Sequence, residues 1–304
     1  MDYFTVRPSQ TQFFKTVPFY YQSEEGEFLL YKKAGDMLDA ERTENTRHPH
    51  LFISNKDKDT ALKELTTGLN REFERLLRQG GGLLEIKQAL GNIVREALTP
   101  GQETAMLALP ETIDILFKNM DQDHTTMEYL AQMATASEFM VEHTVNVTAL
   151  TLQYCFFKKM NEGETSVYAL CALLHDVGVA TLDKSLVNTT ERLTEKQFQR
   201  YQAHAEAGHD MIILNTDFNI AVANVALEHH ERLDKSGYPN GINTLCMESQ
   251  LIGFIDCYEA LTYRDKTFRK AKTPFKTLHL IKEEVIAGKF SPRLFKAFTS
   301  CLTR

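Results

Sequence analysis

Residues 229–241 read HHERLDKSGYPNG, and the interpretation of the whole chain starts from this stretch. It places two adjacent histidines, His229 and His230, beside a loop that contains Gly237, Tyr238 and Pro239. Glycine permits backbone dihedral angles that other residues avoid, and proline fixes the exit of a turn. The sequence therefore predicts a rigid loop beside the histidine pair, although such a loop taken by itself is also typical of an ordinary surface turn.

Further histidines and aspartates occur at regular intervals on both sides of this pair. The chain has ten histidines, and six of them fall between residues 143 and 230. Successive groups are separated by about the length of one helix and a turn, so each helix of a bundle can direct one group inward. The members of this series are His143, His175 with Asp176, His204, His229 with His230, and Asp256.

The apolar residues around the series predict that its members face an interior. Leu173 and Leu174 precede His175, and the run LIGFI (251–255) precedes Asp256. A buried histidine or aspartate needs a partner, and one shared metal ion satisfies several of them at once. Imidazole and carboxylate ligands suit iron, manganese or zinc, and the five cysteines form no CxxC pair that would add thiolates.

A single histidine on a helix is more often a hydrogen-bonded core or surface residue than a metal ligand. The order, the spacing and the apolar context of the series together favour the metal site. Five histidines are left outside it and interpreted as structural or surface residues: His48, His50, His124, His209 and His279.

Composition excludes several classes of protein. Of the 304 residues, 43% are hydrophobic and 25% are charged, which is typical of a globular protein. No apolar run is long enough to span a membrane, and the N-terminus lacks the order of a secretory signal, which predicts a cytoplasmic protein. A net charge of −7 without a dense Lys/Arg tract argues against duplex nucleic acid as a partner.

The periodicity of apolar residues changes along the chain. Short aromatic or branched runs at 16–21, 27–31 and 50–54 predict strands. From Thr60 the spacing is helical, with breaks at residues 80–82 and at Pro100, and a third helix begins near Pro110. We therefore expect a β-rich domain with a helical connector over 1–120 and an all-helical domain over 121–304. Residues 1–120 are interpreted as a sensing or partner-docking domain, and a scaffold role is equally compatible with their pattern.

Residues 125–300 resemble the HD-GYP family of cyclic di-GMP phosphodiesterases. The resemblance rests on HDVG (175–178), HAEAG (204–208), HHERLDKSGYPNG (229–241) and DCYEALT (256–262), the last similar to the family's D-x-x-DALT. It implies an all-α HD-type helical bundle that hydrolyses cyclic di-GMP or its linear dinucleotide. It also implies a diguanylate cyclase (GGDEF) protein as a partner of the GYP loop.

When the family's ligands are assigned to this chain residue by residue, the resemblance implies two divalent metal ions. Iron is the first candidate, and manganese and zinc are alternatives. Asp176 would bridge both ions and act as the catalytic carboxylate, because a carboxylate offers two oxygens. Two ions that share a water lower its pKa and present hydroxide to the phosphorus. The implied ligands are His143, His175, Asp176 and Asp256 for one ion, and His204, His229 and His230 together with Asp176 for the other.

The chain departs from the family in the residues expected to contact substrate. Val179 stands where the family has a lysine, and Phe268 stands where it has a tyrosine. Lys266 replaces an arginine and keeps the charge without the bidentate geometry. The substrate contacts that the resemblance implies are Lys266, Arg269, Gly237 and Tyr238.

Phe139 occupies the position of a glutamate that binds a third ion in some members, so we expect two ions rather than three. The departures leave two other functions open. One is a binding or signalling module that retains the metal centre and turns over little or no cyclic di-GMP. The other is a di-iron helical protein for oxygen or redox chemistry, which the GYP loop disfavours because such bundles do not need it.

Overall fold

The computed structural model describes residues 3–36, 38, 50–99, 101–119, 139–187, 189, 191–262 and 270–303. The chain divides into two compact units, Met1–Arg75 and Leu76–Arg304. The domain boundary that we predict at 120/121 lies outside the described residues, and the two helices before it belong to the second unit by their contacts.

The first unit contains a four-stranded antiparallel sheet. Its strands are β1 (Tyr3–Val6), β2 (Phe19–Gln22), β3 (Phe28–Lys32) and β4 (Leu51–Ser54), in the spatial order β1-β4-β2-β3. The strands predicted at 16–21, 27–31 and 50–54 are confirmed as β2, β3 and β4. Strand β1 was not predicted, because four residues at a sheet edge are too few to show a clear period of two.

Helix α1 (Lys58–Arg78) follows β4 through a short 3₁₀ turn (Asn55–Asp57). Its apolar residues recur at helical spacing, and Leu62, Leu65 and Phe73 are buried. The loop before β2 is tied to this helix, since the carboxylate of Glu64 accepts hydrogen bonds from the backbone N–H groups of Lys15 (2.8 Å) and Thr16 (2.9 Å). The buried apolar face of α1 and the hydrogen bonds to Glu64 therefore stabilise the first unit.

The described part of the second unit, residues 76–303 with their gaps, is helical and contains no strand. None of its described helices, nor α1, is both long and apolar enough to cross a membrane. The all-α bundle preceded by a small β-containing unit is therefore confirmed. The helices are α2 (Leu83–Ala97), α3 (Leu109–Asn119), α4 (Phe139–Phe157), α5 (Glu162–Leu174), α6 (Lys184–Val187), α7 (Glu195–Asn215), α8 (Ile220–Glu228), α9 (Met247–Thr262), α10 (Pro274–Ile286) and α11 (Pro292–Leu302).

Helix α4 is the centre of this bundle. Every residue from 143 to 156 is buried, because α2, α5, α9 and α11 pack around it. A helix that is buried on all sides needs partners for its polar side chains inside the protein, and Thr148 and Thr151 find theirs in backbone carbonyls of α4 itself. Helices α7 and α8 pack against each other, and α8 also packs against α5 and α9.

Capping residues fix where the helices around α4 begin. Asn161 accepts a hydrogen bond from the backbone of Glu164 (2.9 Å), and Thr194 pairs with Gln197 in the same way (3.4 Å). Each pair also returns a side-chain bond to the capping backbone N–H, which is the reciprocal capping box. Because these caps fix where α5 and α7 begin, they also fix the positions of His175 and His204.

Replacing Phe254 of α9 with alanine tests this packing. Its ring is fully buried and meets the rings of Phe290 (5.4 Å between centroids) and Phe298 (5.2 Å). We expect a loss of about 3–5 kcal/mol in the free energy of unfolding, measured by urea denaturation. The control, Phe275→Ala, removes a ring that is 82% exposed and should change this free energy by less than about 0.5 kcal/mol. Equal losses in the two variants would contradict the described core.

Candidate metal centre

The helical bundle brings all seven residues of the histidine and aspartate series to one buried place. They come from the interior faces or the ends of five different helices, as the spacing predicts. His143 lies on α4, His175 and Asp176 directly follow α5, His204 lies on α7, His229 and His230 directly follow α8, and Asp256 lies on α9. All of them are buried except His230, which is partly exposed.

These side chains form two groups that share one residue. In the first group, ligand atoms of His143, His175 and Asp176 lie within 4.8 Å of one another. In the second, ligand atoms of Asp176, His204, His229 and His230 meet the same limit. Asp176 is the member common to both.

The two oxygens of Asp176 are divided between the groups. Oδ1 lies 3.4 Å from Nε2 of His204 and 3.4 Å from Nε2 of His229. Oδ2 lies 3.7 Å from Nε2 of His143 and 3.6 Å from Nε2 of His175. One carboxylate therefore presents one oxygen to each group.

Asp256 lies at the edge where the two groups meet. Its Oδ1 is 3.3 Å from Nε2 of His143, and its Oδ2 is 3.8 Å from Nδ1 of His230. The resemblance implies that Asp256 belongs with His143, and the shorter distance is the one to that side chain. The structure also places it near a histidine of the second group.

Backbone carbonyls define the tautomers of three histidines. Nδ1 of His175 lies 2.8 Å from the carbonyl of Ala172, Nδ1 of His204 lies 2.6 Å from that of Tyr201, and Nδ1 of His229 lies 3.0 Å from that of Val225. A carbonyl only accepts hydrogen bonds, so each Nδ1 must carry the proton. The Nε2 lone pair of each neutral ring then points into the cluster.

Without a cation these lone pairs face one another. Nε2 of His143 is 3.3 Å from Nε2 of His175, and Nε2 of His204 is 3.5 Å from Nε2 of His229. Two further buried atoms at the same place, Oδ1 of Asp176 and Nε2 of His230, have no hydrogen-bond partner. Two nitrogens that each lie about 2.1 Å from one cation stand about 3.0–3.4 Å apart. The donors present therefore fit divalent metal ions in type and in spacing.

Burial and the neighbouring charges keep most of these groups in the form that binds metal. Burial lowers the pKa of His175 to about 4 and lowers the pKa of His204 and His230 as well, so these rings stay neutral at neutral pH. Burial alone would raise the pKa of Asp176 and Asp256, but the surrounding imidazoles outweigh it and hold both below the usual range. The carboxylates therefore stay ionised.

His143 differs from the other histidines. Burial lowers its pKa, but Glu259 and Asp256 together outweigh burial and raise it well above the usual value. Its Nδ1 is held by a carboxylate, Oε2 of Glu259 at 2.6 Å, where the other three use carbonyls. The carboxylates of Glu259 and Asp256, and not burial, therefore dominate the electrostatics around His143.

Gly178, the glycine of HDVG, lets helix α7 approach Asp176. A Cβ atom at this position would lie 2.0 Å from the carbonyl oxygen of His204 and 2.4 Å from the backbone nitrogen of Gly208. Any side chain there would push α7 away and separate His204 from Asp176. The glycines of HDVG and HAEAG thus act as one packing contact behind the cluster.

The GYP loop lies against the histidine pair, as the sequence predicts. A Cβ atom on Gly237 would lie 2.4 Å from the carbonyl oxygen of His230, so only glycine permits this approach. The buried carboxylate of Glu231 accepts hydrogen bonds from the backbone of Asn240 (2.7 Å) and Ile242 (3.1 Å). The ring of Tyr238 packs over His230, with 4.5 Å between ring centroids.

The remaining residues singled out from the sequence have different outcomes. Val179 is buried in the turn after Asp176 and brings no charge to the site. His209 is partly exposed and lies 3.1 Å from Asp210, away from both groups. Lys266, Phe268 and Arg269, with His48 and His124, lie outside the described residues, and the side chain of Phe139 is likewise not described.

Sequence reasoning missed several residues around the centre. Glu259, in the motif DCYEALT, lies 2.6 Å from Nδ1 of His143 through its Oε2. Tyr201 lies on α7 one turn before His204, and the two rings are 4.8 Å apart. Lys87 of α2 is 2% exposed and joins the same polar network. A lysine in the apolar stripe of Leu83, Leu90 and Val94 is the signal that could have identified it.

Known proteins resemble this chain in both sequence and fold. A family model described as HD domain matches residues 128–294, more than half of the chain. Cyclic di-GMP phosphodiesterase PA4108 of Pseudomonas aeruginosa is 24% identical over 218 residues, which are 71% of this chain and 52% of that protein. The 3'3'-cGAMP-specific phosphodiesterase 3 of Vibrio cholerae is 30% identical over 133 residues, which are 43% of this chain and 28% of that protein.

The chain spans about half the length of the Pseudomonas relative and less of the Vibrio one. A solved structure, that of Bd1817, a HDG"Y"P protein from Bdellovibrio bacteriovorus, aligns over 100% of both chains with a TM-score of 0.62 and 14% identity, which shows a shared fold. With the ordered HD and GYP motifs and the buried histidine cluster, these matches lead to one conclusion: the chain belongs to the HD domain family, in its HD-GYP group.

Proposed function

We propose that this protein is a metal-dependent phosphodiesterase that hydrolyses cyclic di-GMP or its linear dinucleotide. The observation that carries the proposal is the carboxylate of Asp176, whose two oxygens face two separate groups of histidines. A carboxylate shared between two sets of imidazoles can hold two metal ions a few ångströms apart, which is the basis of two-metal hydrolysis of a phosphate ester. The names of the relatives supply the substrate class.

Two divalent ions are the proposed cofactors, with iron preferred and manganese or zinc as alternatives. His143, His175, Asp176 and Asp256 would hold one ion, and Asp176, His204, His229 and His230 would hold the other. When bound, such ions act as Lewis acids on the phosphate and lower the pKa of a water between them. HD domains bind divalent metals as a family, and the described cluster has the ligands for them.

The protein's own residues would set the geometry and the charge. Asp176 has a pKa well below the usual range, so it stays ionised at neutral pH and acts as a ligand rather than as an acid. Burial raises the pKa of Tyr238 above the usual value, so its phenol stays protonated beside His230. That hydroxyl can donate a hydrogen bond to a phosphate oxygen of the substrate.

The proposed substrate contacts lie on two segments of the chain. Gly237 and Tyr238 stand beside His230 and are the proposed contacts from the GYP loop. Lys266 and Arg269 are proposed to bind phosphate because of the family resemblance alone. The GYP loop is also the proposed surface for a GGDEF partner, and the region 1–120 is the proposed sensing or docking domain.

A second candidate is a binding or signalling module that keeps the two ions and turns over little or no nucleotide. The observation that favours it is Val179, an apolar and buried side chain where the family has a lysine. Losing one cation from the substrate site weakens contact with phosphate but leaves the metal centre intact. The assay below separates this candidate from the enzyme.

Asp176→Ala should remove both ions and abolish hydrolysis, because this residue faces both groups. The purified protein, loaded with iron or manganese, is incubated with cyclic di-GMP and, separately, with 3'3'-cGAMP, and the products are separated by chromatography. We expect two ions per chain and a linear product for the wild type. For the variant we expect at least about a 10³-fold lower rate. The control is Asp210→Ala, which removes a carboxylate that is 73% exposed on α7.

The outcomes separate the two candidates. Retention of both ions by Asp176→Ala would show that the ligand assignment is wrong. Two ions and nucleotide binding in the wild type, with no product from either nucleotide, would establish the binding module and refute the enzyme.

Single histidine variants should remove one ion each. His175→Ala takes a ligand from the first group only, and His204→Ala takes one from the second only. Elemental analysis after dialysis should find about one ion per chain in each variant, since each loses one of a few ligands. His279→Ala, on α10 and outside the series, is the control and should keep both. Loss of both ions in either single variant would argue against two separable sites.

Tyr238→Phe should weaken substrate binding and leave the metals in place. The change removes only the hydroxyl, and one hydrogen bond is worth about 1 kcal/mol, so kcat/KM should fall about 5- to 10-fold. Metal content should stay at the wild-type value. Tyr21→Phe, in strand β2 of the first unit, should have no effect on either quantity. An unchanged kcat/KM in Tyr238→Phe would exclude this hydroxyl as a substrate contact.

A further inference from the structure

We propose that Lys87 is a positioning residue for the metal centre, acting on His143 through Asn146 and Glu259. The inference rests on the proposed function, because it concerns one of the two proposed ions. Lys87 lies on α2, before residue 128, where the match to the HD domain begins. A helix outside the matched segment would therefore help to build the site.

Lys87 is buried in a place that suits an apolar residue. It is 2% exposed, and Ile86, Leu90 and Val94 of the same helix are buried as well. Burial lowers its pKa, and the nearby carboxylates Glu142 and Glu259 counteract this. A buried ammonium group is retained only where it has partners. Nζ of Lys87 donates to Oδ1 of Asn146 at 2.7 Å and lies 3.8 Å from Oε1 of Glu142.

The contact with Lys87 fixes which way the amide of Asn146 points. An ammonium group only donates hydrogen bonds, so the atom that faces it must be the amide oxygen. The amide nitrogen then faces the other way and donates to Oε1 of Glu259 at 2.6 Å. Without Lys87, the buried amide oxygen of Asn146 would lose this donor, and the amide would be held less firmly against Glu259.

Glu259 couples the orientation of the Asn146 amide to that of the His143 ring. One of its oxygens accepts from Asn146, and the other, Oε2, lies 2.6 Å from Nδ1 of His143. An ionised carboxylate only accepts, so Nδ1 carries a proton and Nε2 faces Asp256 and Asp176. The ring of His143 is thus held in the tautomer that can bind a metal ion.

His143 needs this support more than its neighbours do. The Nδ1 atoms of His175, His204 and His229 bond to backbone carbonyls, whose positions the helices already fix. Nδ1 of His143 bonds to a side chain, which has rotational freedom unless other groups hold it. Asn146 lies one turn after His143 on α4, and Glu259 lies one turn after Asp256 on α9. Lys87 therefore supports a ligand whose Nδ1 is held by a side chain and not by a backbone carbonyl.

Lys87→Met tests the proposal with Co²⁺ as the probe, because the visible absorption of Co²⁺ reports its ligands. The change keeps a similar volume and removes the charge and the donor. We expect the variant to bind one Co²⁺ at the wild-type affinity and the other about 10- to 100-fold more weakly, the usual effect of losing a residue that orients a ligand. The absorption bands of the weakened site should shift when it is saturated.

Two further variants separate positioning from simple stability. Glu259→Gln should weaken the same single ion, because an amide that donates to Nδ1 would place the proton of His143 on Nε2. If Lys87→Met fails to fold, Glu259→Gln provides the test of the proposal. Lys282→Met, an exposed lysine on α10, should bind Co²⁺ like the wild type. Circular dichroism and thermal melts establish that each variant is folded before titration.

Failure of the inference and failure of the proposed function give different results. If the wild type binds fewer than two Co²⁺ per chain, the proposed dinuclear centre itself is wrong. If the wild type binds two and the folded Lys87→Met variant binds both unchanged, Lys87 has no positioning role. Equal weakening of both ions with a lower melting temperature would show a general structural role and would also overturn the proposal.

Discussion

The structure depends on one unfavourable arrangement, a buried carboxylate surrounded by imidazole lone pairs that point at it and at one another. Asp176 cannot satisfy Oδ1 with any hydrogen bond in the described protein, and the paired Nε2 atoms are only 3.3–3.5 Å apart. Such a cluster is costly for a fold to maintain, since unpaired buried polar groups oppose folding. Binding of cations turns each of these costs into a coordinate bond, which couples metal affinity to the stability of the bundle.

Backbone carbonyls near the ends of helices orient two of the histidines. The last carbonyl groups of a helix have no partner within it, and they need donors from elsewhere. Ala172 lies near the end of α5, and its carbonyl accepts from Nδ1 of His175, so one hydrogen bond satisfies a helix end and fixes a tautomer. Val225 lies near the end of α8, and its carbonyl accepts from both the backbone N–H and Nδ1 of His229. Gly178 and Gly237 then allow the neighbouring backbone to approach without a Cβ in the way.

How far the sequence predicts this protein depends on the range of the interactions. The seven residues of the series could be chosen from the sequence, because they are distributed over five helices that recur at a regular spacing. The strands β2 to β4 follow from local patterns for the same reason. The link from Lys87 to Asn146 joins residues 59 positions apart, and that from His143 to Glu259 joins residues 116 apart, so no local pattern shows them. Only the packing of α2 and α9 on α4 brings these pairs together.

The buried charges determine the net charge of the metal centre and therefore the kind of substrate that it would accept. Asp176, Asp256 and Glu259 contribute three negative charges and Lys87 one positive charge, so the cluster without cations is strongly acidic. The raised pKa of His143 has the same cause, since the carboxylates of Glu259 and Asp256 outweigh the effect of burial. Two divalent ions would add four positive charges and reverse the sign of the cluster. A cyclic dinucleotide carries two phosphodiester charges, so the loaded centre itself can supply the attraction that Val179 does not.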